Sequence, residues 1–127
     1  MFLNSAINSS PVIALLAGAA LTTPAMLALG YDADGNAVLP TAGGVVAGIA
    51  AADTGDLKKG DCVTVANKDT VLWLAGEAVK AGDELACNAE GKAVKATAGQ
   101  FIVGIAVSVA EAGNPCYAHI VNAGYKA

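Results

Sequence analysis

The chain has no arginine, a single histidine (His119), and no charged side chain before Asp32. Recognition of phosphates or bases favours clustered cations and the bidentate guanidinium group. Seven scattered lysines and a net charge of −4 therefore argue against a nucleic-acid partner. One histidine leaves no site of two or more imidazoles within one chain. Charged residues make up only 14% of the sequence against 55% hydrophobic, and much of the apolar share is Ala. Small side chains fill flat, close contacts better than a thick core, so part of this apolar surface is expected to meet a partner. A length of 127 residues suits one domain.

All eighteen charges fall between Asp32 and Lys126. The uncharged start lacks the basic residues that open a secretory signal. Thr22-Thr23-Pro24 interrupts its apolar stretch well short of the ~20 residues of a membrane span. Residues 1–24 are therefore expected to form an uncharged arm and a first strand, with a single β-domain over 25–127. Within the arm, Phe2, Leu3, Asn4 and Ile7 are the expected contact residues.

Cys62, Cys87 and Cys116 are odd in number and widely spaced, which fits reduced thiols of a cytosolic product. Each is expected in a strand as a small buried hydrophobe.

Residues 33–50, ADGNAVLPTAGGVVAGIA, return at 89–106 as AEGKAVKATAGQFIVGIA, with ten of eighteen positions identical and no gap. The shared positions have backbone and packing duties, and no reactive side chain repeats with them. Turn signals and β-prone runs place strands at 25–29, 36–39, 45–50, 62–66, 71–74, 84–87, 92–95, 102–107 and 117–121. Asp34-Gly35 and Glu90-Gly91 are expected as two-residue hairpin turns. Gly60-Asp61, Gly82-Asp83 and Gly113-Asn114 form a second recurring turn that leads into a strand. The runs 45–50 and 101–107 are apolar without alternation, so both their faces should be covered. Gly48 and Gly104 within them mark a bulge or a close backbone approach. The fold class is all-β: a small β-barrel or β-sandwich built from a duplicated hairpin and strand unit.

Chemistry finds little footing. DADGN at 32–36 looks like a calcium loop, but its sixth position is Ala37 and its twelfth Gly43, so the turn glycine and the bidentate glutamate are missing. Cys116 and His119 point to opposite faces of a strand. Ser108 has no base placed beside it by any motif. Lys68-Asp69 is the nearest match to the modified lysine of biotinyl and lipoyl carriers, without their flanking residues. No catalytic residue, metal or cofactor is assigned, and an enzyme is not expected.

The order of Gly60-Asp61-Cys62-Val63-Thr64-Val65, Ala75-Gly76-Glu77, Ala81-Gly82-Asp83-Glu84-Leu85, Gly91 and Phe101-Ile102-Val103-Gly104-Ile105-Ala106 resembles the small capsid cement, or decoration, proteins of tailed bacteriophages. The likeness covers about residues 25–121 and rests on turn and packing positions. It implies a structural virion protein on the outside of an icosahedral head. Its partners would be the major capsid protein and further copies of itself, as a homotrimer or a dimer, with no nucleic acid and no membrane. Alternatives are a head-fibre or receptor-adhesion module, and a small enzyme or carrier domain. Adhesion would need an exposed recognition loop, for which Val71-Leu72-Trp73-Leu74 is the candidate. Trp73 is read instead as core or subunit contact.

Overall fold

Short apolar runs cut by glycine turns give ten strands and no helix across residues 11–127, which the structure, a computed structural model, describes. In chain order they are β1 (Val12–Leu16), β2 (Ala28–Tyr31), β3 (Ala37–Val38), β4 (Gly48–Ala50), β5 (Cys62–Ala66), β6 (Thr70–Leu74), β7 (Glu84–Cys87), β8 (Ala93–Lys95), β9 (Phe101–Ala106) and β10 (Pro115–Tyr125). The first five form one antiparallel sheet in the order β1-β5-β4-β2-β3, and the last five form another in the order β6-β10-β9-β7-β8. Adding five to each number in the first order gives the second. The duplication therefore runs through the whole described chain and is much longer than the eighteen-residue repeat visible in the sequence.

Matching hydrogen bonds confirm the correspondence. Gly18 N–H donates to Ala37 O at 2.8 Å, and Gly76 N–H to Ala93 O at 2.7 Å. These bonds accompany parallel bridges, Ala17 to Ala37 and Ala75 to Ala93, that join the two edge strands of each sheet. Each sheet is thereby closed into a small, partly open barrel, which removes the exposed edges that invite aggregation. Leu21 with Leu57 and Val79 with Ala110 exchange backbone bonds in the same places in the two copies.

Of the uncharged segment before Asp32, the described residues are built into the first barrel: Val12–Leu16 pairs along its full length with Cys62–Ala66. The hairpin turns differ from expectation. Asp32 N–H donates to Asn36 O and Gly35 N–H to Asp32 O, so the loop has three residues, Ala33-Asp34-Gly35. The reason lies in the side chain of Asp32, whose Oδ1 accepts the N–H groups of both Asp34 and Asn36 at 2.9 Å. Asn88 does the same for Glu90 and Lys92. Gly35 and Gly91 follow at φ +81° and +83°, as such a loop requires.

β10 is longer than the expected 117–121. Beyond an irregularity between Ile120 and Gly124 the chain pairs again with β9, Tyr125 opposite Phe101. Their rings meet edge to face at 5.4 Å.

Within the unalternating runs, residues 46–50 and 102–104 are buried as expected, while Val45 and Val107 at their ends are exposed, against expectation. In β4 all three residues are buried. Ile49 belongs to a large core around Trp73, and Ala50 to a smaller core with Ala17, Leu21, Leu29, Ala37, Val63 and Val65. The large core also takes Ala28 and Val46 from the first copy, so it spans the junction between the two barrels. Gly48 and Gly104 are places of close backbone approach. A Cβ would stand 2.5 Å from Ala66 O at the first and 2.7 Å from His119 O at the second.

Candidate interaction surfaces

The groups that bear chemistry are spent on structure. Asp61 Oδ2 accepts Lys58 N–H at 2.8 Å, Asp83 Oδ2 accepts Lys80 N–H at 2.9 Å, and Asp56 Oδ1 accepts Thr23 N–H at 2.8 Å. Ser108 Oγ accepts the N–H of Tyr117 at 3.0 Å. Cys116 is buried while His119 is exposed, its Nδ1 lying 3.4 Å from Thr70 Oγ1. Among the described residues no three His, Cys, Asp or Glu side chains gather to hold a metal. Lys68 lies in the link between β5 and β6, which belong to different sheets, so it is not at the tip of a hairpin.

Of the cysteines, Cys87 and Cys116 are buried, but Cys62 is exposed, against expectation. β5 alternates outward and inward, with Val63 and Val65 taking the core face and Cys62 the other. Burial pushes the thiols of Cys87 and Cys116 above the ordinary range. Cys87 Sγ–H lies within 3.4 Å of the carbonyl of Thr41 in the first copy. Neither buried thiol is a reactive nucleophile.

Trp73 is fully buried, so of the two readings its side chain takes the core. Its Nε1–H donates to Gly91 O at 2.9 Å. Phe2, Leu3, Asn4 and Ile7 lie outside the described residues.

What the described surface offers is apolar. On the first copy Leu16 and Tyr31 are each 53% exposed and Val45 is 48% exposed. On the second copy, Val107 N–H donates to Tyr117 O at 2.8 Å, and Tyr117 faces Leu72 across the β6–β10 pair. Val107 and Tyr117 are both 54% exposed, and Val109 is also exposed. An open groove of about 260 Å³, lined by Pro11, Val12, Ala51, Ala52, Thr70 and Leu72, lies where the two copies meet. These exposed positions were not singled out from the sequence. The one available signal was that Tyr31 and Val45 stand where the second copy has Cys87 and Phe101.

No family model matches the chain, and no curated protein matches it. Among solved structures it is similar to the N base of the head fiber gp8.5 of bacteriophage phi29. The TM-score is 0.67 at 21% identity, over 91% of this chain and 98% of that one. The two share a fold over that length, and that neighbour is a phage structural protein.

Proposed function

We propose that this chain is a structural protein of a tailed-phage virion that decorates the outside of the head, bridging neighbouring major capsid subunits as a cement. The observation that carries the reading is the near-complete overlay on a phage head-fiber base. The order of glycine turns and strands, which resembles the cement proteins, supports it from the sequence. Two small, partly open barrels with exposed apolar side chains suit a protein whose work is contact: many modest contacts repeated over a lattice add up through multivalency. The chain acts as a closed homo-oligomer, a trimer at three-way junctions of the shell, with a dimer as the simpler closed form. It is made in the host cytoplasm, takes no cofactor, catalyses no reaction, and touches neither nucleic acid nor membrane.

A second reading is a base that anchors a head fibre, and the same structural neighbour favours it. Co-sedimentation with heads assembled without this chain tests attachment. Heating the decorated heads then separates the readings. A cement raises the temperature at which packaged DNA escapes, whereas a fibre base binds and leaves that temperature unchanged. Failure to bind contradicts both.

A further inference from the structure

Duplication gave each barrel the same pair of faces, and only one face of each is used inside the chain. The second copy sits on the first through Leu74, whose N–H donates to Met26 O at 2.9 Å, and through Gly91, whose carbonyl accepts Ala28 N–H at 2.7 Å. Cys87 O accepts Gly43 N–H at 2.8 Å, and Phe101 N–H donates to Gly43 O at 3.0 Å. The counterparts of Leu74, Cys87, Gly91 and Phe101 in the first copy are Leu16, Tyr31, Gly35 and Val45. They meet nothing of this kind. A Cβ on Gly91 would stand 2.5 Å from Ala28 O, while one on Gly35 would have no neighbour within 4 Å.

The other unused face has gone the opposite way. The counterparts of Ala28 and Gly43 are Glu84 and Gly99. Glu84 is ion-paired with Lys126. Gly99 N–H donates to Lys126 O at 2.9 Å, and Lys126 N–H to Gln100 O at 2.8 Å. Lys126 thus covers this face with charge. Of the two faces left over by duplication, one is charged and capped. The other is apolar and, among the described residues, uncovered.

Resting on the capsid reading above, we propose that Leu16, Tyr31 and Val45 form the surface by which the chain seats on the major capsid protein. A second copy fits this face poorly. Head-to-tail stacking would place Glu84 and its Lys126 cap where buried Ala28 stands, and burying that ion pair is costly. Face-to-face pairing would bring Asp32 and Asp34, which follow Tyr31 in the β2–β3 hairpin, towards their own copies. A different protein, apolar opposite Leu16, Tyr31 and Val45 and basic opposite Asp32 and Asp34, meets neither cost.

The test uses the full chain and heads assembled without it. Leu16→Lys, Tyr31→Lys and Val45→Lys are compared with Ala112→Lys, an exposed position in the turn between β9 and β10 of the second barrel. Circular dichroism and light scattering check fold and oligomeric state. The wild type should co-sediment saturably, and each of the three variants should need at least about tenfold more protein for half-saturation, with Ala112→Lys within about twofold. Asp34→Asn should weaken binding at low salt and converge with the wild type near 0.5 M salt, where screening acts within a few ångströms. If the wild type binds and the three variants bind within twofold of it, the face is wrong and the capsid reading stands. Variants that instead dissociate a homo-oligomer would assign the face to self-association and overturn the proposal. A wild type that does not sediment with heads would overturn the capsid reading and the proposal together.

Discussion

Trp73 and Gly91 are joined by a buried hydrogen bond, the indole N–H donating to the glycine carbonyl at 2.9 Å. The same carbonyl accepts the N–H of Ala28, so one oxygen fastens the second barrel's core to its own hairpin and to the first barrel. Trp73→Phe removes one donor without orphaning the acceptor. It should cost about 1–3 kcal/mol from the lost bond and the smaller ring. Trp73→Ala should cost about 3–5 kcal/mol. Urea unfolding followed by circular dichroism measures both, and a Trp73→Ala variant as stable as the wild type would remove this joint from the account.

Gly35 and Gly91 share a left-handed backbone but differ in surroundings. Gly35→Ala meets only the conformational penalty, about 1–2 kcal/mol. Gly91→Ala adds a collision with Ala28 O, for a total of about 2–5 kcal/mol. Equal losses in thermal unfolding would mean that the two barrels are not in contact at that hairpin.

Asp32 and Asn88 perform one task in the two copies, each accepting two backbone N–H groups across its loop. Asp32→Asn should leave stability within about 0.5 kcal/mol, because the amide oxygen accepts as the carboxylate does. Asp32→Ala should lose about 1–2 kcal/mol, since two loop N–H groups lose their acceptor. Chemical denaturation of the pair decides it.

The three thiols should separate cleanly under an aromatic disulfide reagent. Cys62 reacts in the native protein at once, while Cys87 and Cys116 react only on unfolding. Burial raises the latter two above the ordinary thiol value of 9.0. A thiol whose value is higher in the folded state holds its proton there longer than in the unfolded chain. Its contribution to stability is therefore complete below about pH 9 and declines as pH rises above it. Three thiols reacting at one native rate would contradict the packing.

The hairpin copies were legible because Gly35 and Gly91, Thr41 and Thr97, and Gly48 and Gly104 keep their identities, each backbone duty admitting few residues. The remaining strands were legible as strands but not as copies. β1 and β6, VIALL and TVLWL, need only share an apolar character, which many sequences supply. Two additional residues between Leu21 and Ala28, compared with the stretch from Val79 to Glu84, also break the register between copies. The bare face was hidden for a related reason. Leu16, Tyr31 and Val45 read as core material until the strand pairing shows that none of the described residues covers them. The three-residue hairpin loop escaped because Asp32, outside the Asp34-Gly35 pair, decides it.

A reconstruction by electron cryomicroscopy of heads saturated with this protein tests the central claim most directly. The account predicts double-barrel density at symmetric sites on the outer surface, spanning joints between capsid subunits, with Leu16, Tyr31 and Val45 turned towards the shell. Heads that show no such density at saturating protein, or that carry it on the tail alone, would contradict it.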